Sequence, residues 1–327
     1  MKTMRNLILV LLLVPALARA AEETAPLTRS ELLDIQENLA KTSDLLSQAQ
    51  REVEQLKDLE RQATTGDAKS QCGVGVLYLR GQEFIRKDSE KARMWLEKAA
   101  EQGNARATFF LGTMYHAGLG VKKDTKKALE LFQKAADAGD SWGEERLAMS
   151  YDDGQELKKD RARALKLYLQ SAEQGNRLAC FNLGVGYQTG KFGKKDFIEA
   201  AKWFKNGTQQ DEPFCLYGLG ALNYAGVLGT TNYRVAAIFF LRAAGQGVGL
   251  AQEALARMFF NGWGVPKDLA EAYKWALVAE NHGEEGAQRL VRDIEQQKQV
   301  TKEALIEGRN RAKAYGQRSP LKHWGDD

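Results

Sequence analysis

Apolar positions recur along this chain on two scales. On the short scale, Ala107, Leu111 and Tyr115 stand four residues apart and so share one stripe of a helix. A second apolar set, Ala128, Leu131, Phe132, Ala135 and Ala136, fits the inner face of another helix. Between the two lie Gly118, Gly120 and Val121, followed by Asp124. Gly118 is placed to end the first helix in a left-handed conformation, which costs glycine no steric clash. Asp124 precedes the second apolar set and can accept a hydrogen bond from a free backbone N–H, which makes it an N-cap. Two antiparallel helices joined by a short glycine-containing loop form an αα-hairpin.

On the long scale the hairpin repeats. Glycine closes the units at Gly66, Gly103, Gly139, Gly175, Gly247 and Gly283, the first interval being 37 residues and the later ones 36 or its multiple, with Asp211 on the missed beat. The tyrosine column reads Tyr78, Tyr115, Tyr151, Tyr187, Asn223 and Phe259, and the glycine after it is kept at Gly81, Gly118, Gly154, Gly190, Gly226 and Gly262. The capping column is Asp88, Asp124, Asp160, Asp196, Asn232 and Asp268. Alanine stands four residues later in every unit, at Ala92, Ala128, Ala164, Ala200, Ala236 and Ala272, where a small side chain lets helices approach closely. A period of this length marks a solenoid, whose units bury their apolar faces only by stacking on one another. Such a fold offers an extended surface more readily than a catalytic pocket.

These columns resemble the Sel1-like repeat, a relative of the tetratricopeptide repeat, over about residues 66 to 290: six units and the first helix of a seventh. The resemblance implies an all-α, right-handed αα-hairpin solenoid. The expected organisation is a signal peptide at 1–20, an N-terminal helix at 21–63, six repeats at 64–283, and a capping helix with a basic tail at 284–327. The fifth unit departs most, with Asn223, Asn232 and Asp211 in place of Tyr, Asp and Gly, and Gly207 in place of the inter-helix alanine. A bend or looser helix packing is expected there.

The flanks have their own patterns. Lys2 and Arg5, the apolar stretch from Leu7 to Leu17 and Ala18-Arg19-Ala20 read as a secretory signal, too short to stay in a bilayer as a spanning helix. No cysteine follows the expected cut, which argues against a lipid anchor and for a periplasmic protein. Leu32, Ile35, Leu39, Thr42, Leu46, Ala49, Val53, Leu56, Glu60 and Ala63 follow a heptad and predict a helix from about Thr28 to Ala63. It can cap the first repeat or pair as a coiled coil, and the polar Thr42 and Glu60 favour the cap. Ala287, Leu290, Val291, Ile294 and Leu305 continue a helical period as a C-terminal cap, and Arg309, Arg311, Lys313, Arg318 and Lys322 are expected in a solvated tail.

Charge and chemistry narrow the function further. Signal removal takes three of the 47 basic residues and leaves 44 against 43 acidic ones, so there is no basic excess for nucleic acid. The three cysteines are an odd count. Cys215 replaces a small core residue, and a Cys180–Cys215 bridge is geometrically conceivable. His116, His282 and His323 match no metal spacing, Gly118-Leu119-Gly120 is a repeat loop rather than a dinucleotide motif, and no serine nucleophile motif appears. No cofactor or enzymatic activity is expected.

In tetratricopeptide relatives the first helix of each unit lines the concave face. The same offsets here select Phe109, His116, Trp142, Glu145, Met149, Asp152, Asp153, Phe181, Gln188, Phe214, Tyr217, Tyr224, Glu253, Arg257 and Phe260. Seven of these fifteen are aromatic, against 9% of the chain, and aromatic anchors dominate protein interfaces. Glu145, Asp152 and Asp153 are expected to offer a basic partner side chain a charge pair. The competing reading is that some of these rings merely fill space between neighbouring helices. Exported members of the resembled family include immunity proteins that block phospholipase effectors of type VI secretion. The expected function is therefore that of a protein-binding scaffold, most specifically such an immunity protein, with a phospholipase toxin as partner. An envelope adaptor is the alternative, and a hydrolase would need a clustered catalytic constellation that the sequence does not display.

Overall fold

A computed structural model describes residues 29–298 and 300–318; the signal segment and the last nine residues, with Lys322 and His323, lie outside them. Fifteen helices make up the described residues. A long helix α1 (Arg29–Thr64) precedes six hairpins: α2 (Ala68–Arg80) with α3 (Ser89–Glu101), α4 (Ala105–Ala117) with α5 (Thr125–Asp137), and α6 (Ser141–Asp153) with α7 (Arg161–Glu173). Then come α8 (Arg177–Thr189) with α9 (Phe197–Thr208), α10 (Pro213–Ala225) with α11 (Tyr233–Gly245), and α12 (Gly249–Asn261) with α13 (Leu269–Asn281). Helices α14 (Glu285–Gln296) and α15 (Lys302–Arg318) end the array. Second helices α3, α7, α9, α11 and α13 each pack on their own first helix and on the first helix that follows, the arrangement of a solenoid. The chain divides into two compact units, up to Leu131 and from Phe132 onward, with the boundary inside α5.

The columns explain this regularity. Gly118, Gly154, Gly190, Gly226 and Gly262 all adopt left-handed conformations at the ends of first helices. Asp124 Oδ1 accepts from Lys127 N at 2.9 Å, and Asp88, Asp160, Asp196, Asn232 and Asp268 cap the other second helices in the same way. All six alanines that stand four residues after the caps are fully buried. A further capping column escapes a reading based on apolar periods: Asp67, Asn104, Asp140 and Asn176 each cap a first helix. Asn104 and Asn176 also donate to Ala68 O and Ser141 O of the preceding first helix, stitching neighbouring units together.

Three features differ from the sequence expectation. Where α9 meets α10, at the entry to the fifth unit, the helices are not loosely packed. A Cβ on Gly207 would lie 2.3 Å from Cys215 Sγ and 3.4 Å from Cys180 Cβ, so the missing methyl makes room for a sulfur. Cys180 and Cys215 are both buried free thiols, and no disulfide joins them. Third, the C-terminal basic stretch is a helix rather than a solvated tail as far as Arg318. Arg311 pairs with Asp268 at 3.2 Å and Glu271 at 2.8 Å, and Arg309 bonds Tyr273 Oη at 3.1 Å. Arg309 and Lys313 are exposed, Arg309 while it holds that bond.

The carboxy-terminal part of α1 packs on the first hairpin. Leu56 and Leu59 pack on the first core cluster, Ala63 is buried, and Tyr78 Oη donates to Glu60 Oε1 at 2.7 Å. Glu60, the polar residue in the heptad seam, is thereby satisfied within the chain.

Candidate functional site

The second compact unit presents four consecutive first helices, α6, α8, α10 and α12, whose equivalent positions recur at 36 residues. The second position of each carries Trp142, Leu178, Phe214 and Leu250, an apolar row at the start of these helices. Phe214 and Leu250 are 46% and 45% exposed, while Trp142 and Leu178 are half-buried. One turn further along stand Glu145, Phe181, Tyr217 and Glu253. The rows interlock: the rings of Phe181 and Phe214 lie 5.5 Å apart across the unit boundary. Beneath them Phe181 meets Phe204 at 6.4 Å and Tyr217 meets Phe240 at 5.7 Å, so the core orients rings that also show an edge to solvent.

The polar members are less open than their spacing suggests. Glu145 is buried, and Asn182 Nδ2 donates to its Oε1 at 3.2 Å. Burial pushes the Glu145 carboxyl up to about 7, with the nearby Arg146 acting in the opposite direction. Asp152 is half-buried and paired with Lys191 at 2.7 Å, and exposed Asp153 accepts from Gln155 N. The expected acidic trio is therefore not an open patch: the inward turn of α6 buries Glu145, and the following hairpin neutralises Asp152. Glu253 and Arg257 pair with each other at 2.8 Å. Tyr224 is enclosed by Tyr233, Phe240 and Trp263, and Lys267 lies 6.0 Å from the Phe260 ring. Met149 and Gln188 are half-buried. Phe109, edge-on to Phe110 at 5.3 Å, and His116 belong to the other compact unit and are half-buried there.

Sequence reasoning missed Leu178 and Leu250, because a search for rings passes over aliphatic members of the same row. It also missed a cationic column. Lys91, Lys127 and Arg163 lie over Tyr78, Tyr115 and Tyr151 at 4.9, 4.1 and 4.5 Å, so the tyrosine column is covered from the second helix. Among the described residues no group of three or more His, Cys, Asp and Glu side chains could hold a metal ion, and no helix is long and apolar enough to cross a membrane.

Known proteins agree with this architecture. The protective antigen c5321 of uropathogenic Escherichia coli, which displays an SLR fold, aligns with a TM-score of 0.71 at 30% identity, over 81% of this chain and 56% of that one. A Sel1 repeat protein from Oxalobacter formigenes aligns with a TM-score of 0.62 at 29% identity, over 67% of this chain and 89% of that one. The ERAD-associated E3 ubiquitin-protein ligase component HRD3A of Arabidopsis thaliana is 36% identical over 69 residues, which is 21% of this chain and 10% of that protein. The chain thus spans a small fraction of that curated relative and about half of the antigen. The Sel1 repeat model matches residues 68–104, 105–140, 143–176, 177–211, 213–248 and 249–283. With six matched units filling most of its length, and hairpins that stack as those units require, the chain belongs to the Sel1 repeat family.

Proposed function

We propose that the exposed side of α6, α8, α10 and α12 grips a protein partner, with the row Trp142, Leu178, Phe214 and Leu250 as its centre. The observation that carries this reading is the exposure of Phe214 and Leu250 in a row whose other two members are half-buried and apolar. A large ring left in water beside Phe181 and Tyr217 gains most when a partner removes it from solvent. The finer reading is an exported immunity protein that occludes a phospholipase toxin. It is supported by the family and the signal-like segment at 1–20.

Phe214→Ala combined with Leu250→Ala tests the surface. Both side chains are nearly half exposed, so the variant should melt close to the parent while affinity for the captured partner falls about tenfold or more. Unchanged affinity refutes the row as the contact. For the finer reading, cells expressing a type VI phospholipase in the periplasm should survive only with the intact protein. If cells lacking the protein survive equally well, the immunity assignment fails while the scaffold stands.

A further inference from the structure

A feature in the first compact unit points elsewhere. The loop of the second repeat, residues 118–124, and the start of α5 border an open hollow of about 740 Å³. Arg93 reaches it from α3, Lys122 and Lys123 from the loop, and Lys127 from α5, with Tyr115 on its wall. We propose that this hollow binds a phosphate-bearing anion.

Four cationic side chains converge there, and the charges opposing them are few. Asp124, the acid on the wall, is turned into the helix, where its Oδ1 accepts from Lys127 N at 2.9 Å. Arg93 shares its charge with Glu97 at 3.0 Å, and Lys127 donates to Tyr115 Oη at 2.7 Å. Lys122 and Lys123 are exposed and make no ion pair among the described residues. Like charges that line one hollow repel one another, and a multiply charged oxyanion relieves the repulsion more than a single carboxylate does.

The loop is also held in place before any ligand arrives. Leu119 N donates to Met114 O at 3.0 Å and Asp124 N to Tyr115 O at 2.9 Å, which fixes both ends. Between them Gly120, at φ +65°, sits so close to Ser89 that an added Cβ would lie 2.7 Å from its Cβ. Lys122 and Lys123 therefore project from a clamped backbone, which lowers the cost of ordering them around an anion. A soluble phosphate compound and the headgroup of an anionic lipid share this chemistry, and Leu119, 40% exposed beside the lysines, could dip into a bilayer.

The full chain is titrated calorimetrically with sodium pyrophosphate in about 50 mM salt, and sedimented with vesicles of phosphatidylglycerol and phosphatidylcholine. The expected result is binding in at least one arm, weakened about fivefold or more in Lys122→Ser/Lys123→Ser and unchanged in Lys194→Ser/Lys195→Ser, which alters the matching pair of the fourth repeat. Pyrophosphate binding alone identifies a soluble source, and vesicle binding alone a lipid one. Melting curves of both variants should overlay the parent, since these lysines are exposed. No binding in either arm, or equal weakening by both variants, overturns the proposal.

Discussion

At Asp211 the backbone holds φ +53°, while its six glycine counterparts hold +78° to +99°. The column is thus a conformational requirement, and aspartate meets it as one of the few side chains that tolerate the left-handed region. Asp211→Gly should stabilise the protein by about 0.5 kcal/mol, the relief of strain outweighing an exposed ion pair with Arg242. Asp211→Ala, which keeps the strain and loses the pair, should destabilise by about 1 kcal/mol. Urea unfolding distinguishes the two, and a loss in the glycine variant contradicts the argument. Gly207→Ala should cost about 1–3 kcal/mol because its methyl would overlap Cys215 Sγ. Replacing Cys215 by alanine, the residue this column usually carries, should recover most of that loss. Glu145 adds a pH dependence. Its folded pKa, about 7, lies above the ordinary 4.5, so the native state binds more protons than the unfolded chain between those values. Stability should fall as pH rises through that window, by up to about 3 kcal/mol from this group. Glu145→Gln should flatten the profile between pH 5 and 7; an unaltered slope would show that Glu145 ionises freely.

Elements were legible from the sequence wherever a local rule produced them. Leu111 and Tyr115 on one stripe, Gly118 as terminator and Asp124 as cap each act within a few residues, and all are found as expected. What stayed hidden depends on partners distant in the chain. The exposure of the basic residues near the C-terminus could not be read without knowing that Asp268 and Glu271 lie opposite Arg311. Nor could the closure of Glu145 be read without Asn182 in the next unit. Helix α15 shows the same dependence. It lies along α13, with Tyr315 donating to Ala244 O at 2.8 Å and its ring 5.2 Å from Trp275. A Cβ on Gly308 would stand 2.7 Å from Ala270 O. Gly308→Val should therefore lift α15 from its seat, seen as faster amide exchange and proteolysis across residues 302–318, with the secondary structure of α6–α10 kept. Protection equal to the parent would show that α15 docks without close contact at Gly308.

For the molecule as a whole, repeat architecture makes stability a sum of units and their nearest interfaces. A lesion at Gly207 should accelerate amide exchange most in α8 to α11 and progressively less toward α14, so the gradient itself is the measurement. Uniform acceleration along residues 141–296 would mean that this compact unit unfolds as one block. The candidate contact row was half legible at this scale. Trp142 and Phe214 stood out as rings, whereas Leu178 and Leu250 join them only when four helices are set side by side.

The outward side of α14 carries one more consequence. Ala287, Leu290, Val291 and Ile294 are spent on the array, and what remains is Gln288, Arg289, Arg292 and Asp293, all wetted by solvent. A further hairpin, from this chain or another copy, would have to dehydrate those charges without any apolar surface to receive it. The helix behaves as a chain stopper in a linear polymer: it sets the count of stacked modules and denies other molecules a place to continue the series.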